Sequence, residues 1–292
     1  MSIRKQILFV INPISGGKSK SSFKKLVLEA LDLRKFTPTF EETLHANHAF
    51  ELAKAAVAER FDAVIAVGGD GTINEIASAL VGTDVPLGII PEGSGNGLAL
   101  YLGIPMNEGA AIRRLNQFQN TVVDCGQING RYFFNMAGMG FDAEVSETFA
   151  QDTFRGPIGY LRSAISVLKN YKPAHYTINI DGNIIERNAF MISVANSPQY
   201  GNNAYIAPQA SLTYGVLDVC IVHKFPMYIL PKMIFHLFNK SADQSTYVEI
   251  LPGKNISIHK DDDTPMHVDG EPFRLGKDVE IEIIPKSLKI IC

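Results

Sequence analysis

Cysteine is scarce in this 292-residue sequence, and the three that occur are far apart. Cys125, Cys220 and Cys292 form no CxxC pair, so the sequence indicates neither a disulfide framework nor a zinc site. A surplus of basic residues is also missing. Because phosphate neutralisation needs such a surplus, the formal net charge of -3 argues against a general nucleic-acid-binding protein. A reducing, cytoplasmic compartment fits this composition best.

Long hydrophobic runs are absent as well. The first apolar run, Ile7 to Ile11, stops at Asn12-Pro13 and is too short for a signal peptide. The most apolar later stretch, Phe225 to Phe238, contains two prolines and a lysine, whereas a membrane-spanning helix needs about 20 mainly apolar residues. We therefore expect a soluble protein that still has a segment suited to touching a membrane.

Residues 1–122 alternate all-apolar runs with helical patterns, which is typical of parallel strands and their crossover helices. The runs are Ile7 to Ile11, Ala63 to Val67 and Leu87 to Ile90, with a weaker one near Thr37 to Glu41. Most of these runs end in a glycine-rich or polar turn, and open α/β sheets bind ligands at the carboxyl ends of their strands. The sequence therefore predicts an α/β domain in which three turns converge on one crevice.

Residues 123–284 show alternating strands, which predict an antiparallel, mostly β domain. The strands are joined by two-residue hairpin signals at Asn129-Gly130, Asp181-Gly182 and Asp269-Gly270. Helices are expected as exceptions from Ile158 to Lys169 and after Pro231, because proline suits the first turn of a helix. The tail, 285–292, is predicted to return to the first domain as a short strand.

Two glycine-rich turns carry the strongest chemical signal. The first, Gly68 to Asn74, leaves a strand and enters a helix, where free N–H donors and the helix dipole favour a phosphate. Asp70 is placed to hold a ribose or an attendant magnesium ion. The alternative is an ordinary turn in which Thr72 caps the helix. The second turn, Pro91 to Gly97, becomes the other wall of a nucleotide cleft.

The opening turn, Asn12 to Ser19, nearly matches a P-loop but has asparagine where that motif needs glycine. A P-loop enzyme also needs an acidic residue directly ending a neighbouring strand, and Val67 is followed by two glycines. A true P-loop is therefore disfavoured. A basic cluster is expected near the phosphates, with a solvated helix face as the alternative for its last two members: Lys18, Lys20, Lys24 and Lys25.

Taken in order, these motifs resemble the diacylglycerol kinase catalytic-domain family, which includes bacterial lipid kinases and the sphingosine and ceramide kinases. Further matching runs are Phe134-Asn135, Gly140 to Ala143, Ala207-Pro208, Gly215 to Val219 and Val268 to Glu271. The resemblance covers nearly the whole chain. It implies an N-terminal α/β nucleotide-binding domain of the phosphofructokinase and NAD-kinase type, followed by a C-terminal antiparallel β-sandwich domain for the lipid substrate.

The resemblance also implies roles for individual residues. It assigns ATP binding to Asn12, Thr43, Gly68, Gly69, Asp70, Gly71, Thr72, Ile73, Asn74, Gly93, Ser94 and Asn96. Asp269 corresponds to the family's proposed catalytic base, and Glu271 can support it. Hairpin chemistry alone favours a turn role for Asp269, because Asp-Gly is a hairpin signal and two other hairpins of this chain need no catalysis.

Two departures from the family pattern concern the substrate and a metal. Ser94-Gly95-Asn96-Gly97 replaces the threonine and Asn-Asp usual in bacterial members and is more similar to the sphingosine and ceramide kinases. Tyr214-Gly215 replaces an Asp-Gly that supplies a carboxylate to a structural magnesium site, so that site is expected to be altered or missing. No residue is assigned as a metal ligand. The histidines show no HExxH motif or close metal-ligand cluster.

The expected function is that of an ATP- and Mg²⁺-dependent lipid kinase acting on a primary hydroxyl of diacylglycerol, a sphingoid base or a related lipid. One alternative is a kinase of a soluble substrate such as NAD, which shares the GGDGT turn. Another is a nucleotide- and lipid-binding protein with little turnover, suggested by Tyr214. The expected location is the cytoplasm, with peripheral contact at the inner membrane face and no nucleic-acid partner. The oligomeric state stays open, a homodimer included.

The segment after Pro231 has two interpretations. Lys232, His236 and Lys240 recur every four residues and are expected to share one helix face, while most of the remaining residues are apolar. This pattern fits a helix lying at a membrane surface. It also fits a core helix packed on the sandwich with a solvated basic stripe, an arrangement common among helices of soluble proteins.

Overall fold

The computed structural model describes residues 4–17, 20–152 and 156–292, with side chains from 159 onward in the last range. Lys18 and Ser19, which end the opening turn, therefore lie outside the described residues, as does the side chain of Ile158. The chain divides into two compact units. One contains Met1–Val123 and Lys286–Cys292, and the other contains Asp124–Pro285.

The first unit is a parallel α/β structure, as predicted. Its strands are β1 (Lys5–Ile11), β2 (Phe36–Glu42), β3 (Ala63–Gly68) and β4 (Leu87–Pro91), and its helices are α1 (Phe23–Ala30), α2 (His48–Ala58), α3 (Asp70–Leu80), α4 (Gly97–Tyr101) and α5 (Glu108–Leu115). The strands pair in parallel in the order β4-β3-β1-β2. Every residue of β3 and β4 is buried, which explains why each is a continuous apolar run.

Helix α3 fixes the position of the first glycine-rich turn. It begins at Asp70, immediately after β3, and buries Ile73, Ile76, Ala77 and Leu80 at helical spacing. The residue before the helix is Gly69, which has no side chain to cap it. The alternative in which Thr72 is the N-cap is therefore wrong, because Thr72 already lies in the first turn of the helix.

The second unit is antiparallel. Its strands are β5 (Asn120–Ile128), β6 (Arg131–Phe133), β7 (Met136–Gly140), β8 (Ala174–Ile180), β9 (Asn183–Ala195), β10 (Gln199–Gly201), β11 (Ala204–Tyr205), β12 (Leu217–His223), β13 (Val248–Gly253), β14 (Asn255–Lys260), β15 (Met266–Val268), β16 (Glu271–Phe273) and β17 (Asp278–Ile291), where β5 and β17 contribute residues to both units. The strand order is β16-β15-β7-β9-β8-β14-β17, and β12 pairs with β9 and β13. Its helices are α6 (Phe141–Gln151), α7 (Gly156–Leu168) and α8 (Leu230–Phe238).

The three predicted hairpins are confirmed. Asn129, Asp181 and Asp269 have φ values of 42°, 50° and 48°, and the glycine after each also has a positive φ. Two successive left-handed residues are the signature of a type I′ turn, whose twist matches that of the strands it joins. These turns connect β5 to β6, β8 to β9 and β15 to β16.

Strand β12 is buried on both faces of the second unit. Leu217, Val219 and Ile221 pack in one hydrophobic cluster, whereas Cys220 and Val222 pack in another. Successive side chains of a strand point to opposite faces, so one strand serves two cores. This two-sided burial is the packing expected of the sandwich interior.

Two predictions about elements need correction. Helix α6 was not among the expected helices of the second unit, although its first turn carries Asp142 and Glu144, which stabilise a helix N-terminus. The tail is not a separate short strand but the end of the 14-residue β17, which reaches the first unit where Ile290 pairs in parallel with Leu87. The first half of β17 alternates buried and exposed residues, whereas its last residues are mostly buried. The two halves therefore show different sequence patterns although they form one strand.

Candidate active site

Three turns of the first unit meet at the carboxyl ends of β1, β3 and β4. The Asn12 backbone N–H donates to the Val67 carbonyl at 2.9 Å, and the Glu92 N–H donates to the Gly68 carbonyl at 2.8 Å. The side-chain amide of Asn12 also donates to the Thr72 hydroxyl at 3.0 Å. The predicted convergence of the turns is therefore confirmed within this unit.

Gly69 and Gly93 lie where the two glycine-rich turns touch. A Cβ on Gly93 would stand 2.6 Å from the Gly69 Cα, and a Cβ on Gly69 would stand 3.1 Å from the Gly93 Cα. Backbone atoms cannot move aside as a flexible side chain can. At these two positions glycine is required for one turn to approach the other, a role that the sequence interpretation, which considered only phosphate approach, missed.

Asp70 links the two turns by hydrogen bonds. Its carboxylate accepts the Asn96 N–H at 2.8 Å and the Gly97 N–H at 2.9 Å, at the N-terminus of α4. A Cβ on Gly95 would come 2.8 Å from the Asp70 carboxylate. Asp70 thus holds the second turn in place, whatever else it contacts. A change at Asp70 is expected to disturb both walls of the predicted nucleotide cleft.

Asn96 stabilises the second turn rather than projecting from it. Its side-chain oxygen accepts the Gly93 N–H at 2.8 Å, and its amide donates to the Gly93 carbonyl at 2.7 Å. The residue has a left-handed backbone with φ of 49°, which asparagine tolerates better than most residues. Ser94, by contrast, is exposed at the turn. Of these two predicted ATP contacts, Ser94 presents the accessible polar side chain.

The remaining predicted ATP contacts belong to α3 and to the residue after β2. Gly71 and Asn74 are half-buried in α3. The Ile73 side chain is buried in the core, and its N–H donates to the Gly69 carbonyl at 3.0 Å, so Ile73 contributes to the start of the helix. Thr43 is half-buried, and its N–H donates to the Ile11 carbonyl at 2.9 Å. These residues share the carboxyl-end region of the sheet.

Glu75, which follows Asn74, joins α3 to the start of α2. Its carboxylate accepts the Asn47 N–H at 2.9 Å and the Ala49 N–H at 3.1 Å. A carboxylate at a helix N-terminus satisfies N–H groups that have no partner within the helix. The glutamate that ends the GGDGTINE run therefore has a structural role, because it caps the N-terminus of α2.

Each described lysine of the predicted basic cluster faces a carboxylate. Lys20 forms a buried ion pair with Glu92, while Lys24 lies 3.8 Å from Glu42 on the surface. Lys25 lies 3.8 Å from Glu29 one helical turn away. Ser15 donates to Glu92 at 3.2 Å, so the buried pair also links the opening turn to the second glycine-rich turn. Lys18 lies outside the described residues.

Asp269 accepts backbone hydrogen bonds in the second unit. One carboxylate oxygen accepts the Phe134 N–H at 3.0 Å, and the other accepts the Asn135 and Met136 N–H groups at 2.8 and 3.0 Å. A carboxylate has about four lone-pair sites, so these donors fix its position firmly. Glu271 is exposed at the start of β16, two residues farther along the same hairpin.

A buried polar network lies beneath that hairpin. The Gly270 N–H lies 3.4 Å from His267 Nδ1, and His267 Nε2 lies 3.0 Å from a carboxylate oxygen of Asp142. Tyr200 and Ser193 each lie 3.2 Å from the same Asp142 oxygen. Burial, together with the Asp142 charge, raises the pKa of Tyr200 well above its ordinary value of 10.0, so the phenol stays a neutral donor.

The sequence interpretation did not foresee that Asp142 and His267 would pair. A Cβ on Gly138 would stand 2.3 Å from His267 Nε2 and 2.4 Å from Asp142 Oδ2, so this glycine makes room for the pair within β7. A glycine inside a strand often marks a close approach, and this was the available signal. The network supports the hairpin that carries Asp269.

The turn before β12 has no carboxylate at position 214. Tyr214 is 70% exposed, and the Gly215 N–H donates to the buried Asp124 at 2.8 Å. Burial raises the pKa of Asp218 above its ordinary 3.8. The expectation that this loop does not hold magnesium tightly remains a prediction.

Two histidines of the first unit do come together, contrary to expectation. Potential ligand atoms of His45, His48 and Glu51 lie within 4.8 Å of one another. The two imidazole rings, however, stack with centroids 4.7 Å apart, and His48 Nδ1 already accepts the Leu44 N–H at 3.0 Å. Ring lone pairs lie in the plane of the imidazole, so stacked rings do not aim them at one ion. The arrangement is therefore better described as a stacked pair.

Comparison with known proteins agrees with the architecture. Residues 6–128 match the diacylglycerol kinase catalytic domain, and residues 135–292 match the YegS C-terminal NAD kinase beta sandwich-like domain. A diacylglycerol kinase of Bacillus subtilis (strain 168) is 27% identical over 91% of this chain and 90% of its own length. An uncharacterized protein of Synechocystis is 30% identical over 96% of this chain and 69% of its own length.

Solved structures show the same fold. A diacylglycerol kinase from Bacillus anthracis str. Sterne superposes with a TM-score of 0.74 at 20% identity, covering 100% of this chain and 97% of that one. An NAD kinase from Archaeoglobus fulgidus in complex with ATP superposes with a TM-score of 0.54 at 14% identity, covering 99% and 94%. The predicted relation to NAD kinases is therefore confirmed at the level of fold. Since both domain matches follow one another along nearly the entire sequence, the chain belongs to the diacylglycerol kinase catalytic-domain family of lipid kinases.

Proposed function

We propose that the protein is an ATP-dependent lipid kinase that transfers the γ-phosphate to a primary hydroxyl of diacylglycerol, a sphingoid base or a related lipid. The main support is the convergence of three turns on the N-terminus of α3 in a chain of this family. Phosphoryl transfer depends mainly on positioning and electrostatic stabilisation, which rigid turns and helix N–H groups provide.

ATP is proposed to bind with its phosphates at the start of α3. Gly69 precedes the helix and supplies no capping side chain, and a helix N-terminus attracts anions through its N–H groups and dipole. The Asn12–Thr72 and Asp70–Asn96 hydrogen bonds hold the turns on either side. Thr43, Asn74 and Ser94 are the proposed polar contacts farther from the helix start.

Mg²⁺ is proposed to accompany ATP and, when bound, to neutralise charge on the phosphates. Carboxylate oxygen is the protein ligand that Mg²⁺ prefers, usually together with water and substrate phosphate. Asp70 is the carboxylate of the first turn and would face the ion. Its two backbone hydrogen bonds orient the carboxylate in advance, which is consistent with such a role.

Asp269 is proposed to accept the proton of the acceptor hydroxyl, with Glu271 in support. General base catalysis contributes typically about 100- to 10,000-fold. The three backbone hydrogen bonds fix the Asp269 carboxylate. The Asp142–His267 pair, which lies beneath the hairpin, supports the hairpin itself. Positioning of this kind is what a base needs in order to meet a hydroxyl in one defined geometry.

The proposal is tested by measuring phosphate transfer from ATP with a panel of acceptors. The panel contains diacylglycerol, sphingosine, ceramide and NAD, each presented in neutral detergent micelles where insoluble, with an acceptor-free reaction as the control. Transfer to one of the lipids but not to NAD is expected. Transfer to NAD alone would establish the soluble-substrate alternative, and ATP binding without transfer to any acceptor would establish the binding-protein alternative.

A further inference from the structure

The region around α8 exposes an unusual concentration of large apolar side chains. We define the α8 face as Met227, Tyr228, Ile234, Phe235 and Phe238. Tyr228 is 79% exposed, Phe235 62% and Phe238 57%. Surface aromatic residues are common singly, but a cluster of them marks an interaction site.

The residues of the α8 face do not take part in the packing of the hydrophobic core. The opposite side of α8 buries Met233, and Leu230 and Leu237 pack partly buried against the adjoining hydrophobic cluster. These contacts already anchor the helix to the unit. The outward residues therefore add apolar area that no described residue covers.

The expected basic stripe is not formed as predicted. Helix α8 ends at Phe238, so Lys240 lies beyond it, with its ammonium 4.5 Å from the Tyr205 ring. His236 is turned to the Ser241 hydroxyl at 2.8 Å. The exposed side of the helix is consequently apolar, with Lys232 at its start. One side of the helix thus packs on the core, as the core-helix interpretation expects, while its outward side is more apolar than a solvated basic stripe.

The segment that carries the α8 face is rich in lysine. Residues 224–242 contain Lys224, Lys232 and Lys240, and the first acidic residue after them is the exposed Asp243, although the chain as a whole carries a formal net charge of -3. Exposed aromatic groups flanked by lysines suit the boundary between lipid head groups and acyl chains. A symmetric self-association through this face would instead bring like charges of two copies together.

We propose that the α8 face docks on the surface of a bilayer that contains anionic lipid. This inference rests on the proposed function, in which the phosphate acceptor is a lipid. It identifies the surface by which the enzyme would reach that lipid in a membrane. The face lies on the membrane and does not enter it as a span, since among the described residues no helix has the length and apolarity to cross a bilayer. Phe235 and Phe238 provide the apolar contact, and Lys232 provides attraction to the head groups.

The absence of tryptophan from the chain allows a direct test. Phe235→Trp places one fluorophore on the α8 face, and Leu28→Trp places one on α1, where Leu28 is also exposed. With vesicles of phosphatidylcholine and phosphatidylglycerol at 7:3, we expect a blue shift and quenching by brominated acyl chains at position 235 and not at 28. An unchanged spectrum at position 235 would overturn the proposal.

Vesicle sedimentation tests the separate contributions. Phe235→Ser with Phe238→Ser should weaken partitioning at least about tenfold, since most of two phenyl side chains is lost from the contact. Lys232→Gln should weaken it about fivefold at low salt. Leu28→Ser and Lys54→Gln serve as matched controls on the first unit. Equal partitioning of all variants would contradict the inference.

Two further readouts separate this inference from its alternatives. If sedimentation velocity shows a dimer that Phe235→Ser with Phe238→Ser converts to a monomer, the α8 face is a self-association surface and the inference fails. Turnover of a short-chain, water-soluble diacylglycerol is measured in the same variants. Unchanged turnover with lost vesicle binding supports membrane docking, whereas vesicle binding by a protein that phosphorylates no lipid refutes the proposed function and leaves docking intact.

Discussion

Asp269 provides a sharp test of the site, because the chain contains a matched control for it. Asp181 occupies the same position of another type I′ hairpin, with φ of 50° against 48° for Asp269. Its carboxylate likewise accepts backbone N–H groups, from Lys254 at 3.0 Å and Asn255 at 2.9 Å. Of these two aspartates, only Asp269 is proposed to act in catalysis. Asp269→Asn and Asp181→Asn therefore share the turn chemistry and differ in the expected rate.

The structural cost of Asp269→Asn follows from its acceptors. Asparagine keeps one oxygen, which can retain the Asn135 and Met136 N–H bonds, but its NH₂ group then meets the Phe134 N–H. Leaving a part-buried donor unsatisfied costs about 1–3 kcal/mol, which should appear in the free energy of unfolding. Asp181→Asn should cost less, because its carboxylate and its partners are exposed and water can replace the lost bond. Neither change should abolish folding, since asparagine suits this turn.

The catalytic cost is expected to be larger and specific. Asp269→Asn removes the proton acceptor and should lower the rate of lipid phosphorylation at least about 100-fold, with ATP affinity nearly unchanged. Asp181→Asn should retain close to the wild-type rate. The measurements are initial rates at saturating ATP and lipid, ATP titration calorimetry, and urea unfolding. A near wild-type rate for Asp269→Asn, or equal rate losses in both variants, would show that Asp269 acts only as a turn residue.

Further predictions address the nucleotide turns, one ion pair and the metal. Asp70→Ala should abolish ATP binding in a direct titration of the folded protein, because it releases the second turn, and unchanged affinity would refute its proposed role. Gly93→Ala should destabilise the protein by about 1–3 kcal/mol and weaken ATP binding, since the new Cβ would stand 2.6 Å from the Gly69 Cα, and wild-type stability would contradict that packing. The Arg187 guanidinium, bonded to Glu249 at 2.9 and 3.0 Å, lowers the pKa of that carboxyl below its ordinary 4.5. This stabilisation is complete above pH 4.5 and is lost as pH falls through the lowered folded-state value. Arg187→Gln should therefore lower the free energy of unfolding by about 1 kcal/mol at pH 7 and by progressively less in acid. A difference in unfolding free energy that does not change with pH would disprove the linkage. Finally, no tightly held magnesium is expected beside Gly215 to Asp218, and an octahedral ion there at about 2.1 Å from protein oxygens would overturn this expectation.

The sequence determined those features whose physical causes are local. Continuous apolar runs predicted β1, β3 and β4 to within two residues at each end, because strands buried on both faces do not alternate. Strand β2, which is mostly half-buried or exposed, gave only the weaker run from Thr37 to Glu41. Asp-Gly and Asn-Gly pairs predicted three hairpins, because few other residues accept two left-handed positions in succession. A further hairpin, which joins β10 to β11 through Asn202 and Asn203, lacks the glycine signal and was not predicted. The order of the motifs indicated the family, and with it the fold.

The tertiary structure decided which residues became partners. Asp70 bonds a turn 26 residues away, Asp142 pairs with His267 across 125 residues, and Asp269 holds a backbone segment more than 130 residues earlier. No local pattern specifies such pairings, since they arise only when packing brings distant segments within hydrogen-bond distance. For the same reason the sequence indicated only a phosphate-binding role for the glycines of the two turns. In the structure, Gly69 and Gly93 also allow the backbones of the two turns to come into contact. The outward aromatic face of α8 is set by the residue at which the helix ends and by the side of the helix that packs on the hydrophobic core. The spacing of the lysines determines neither of these two features.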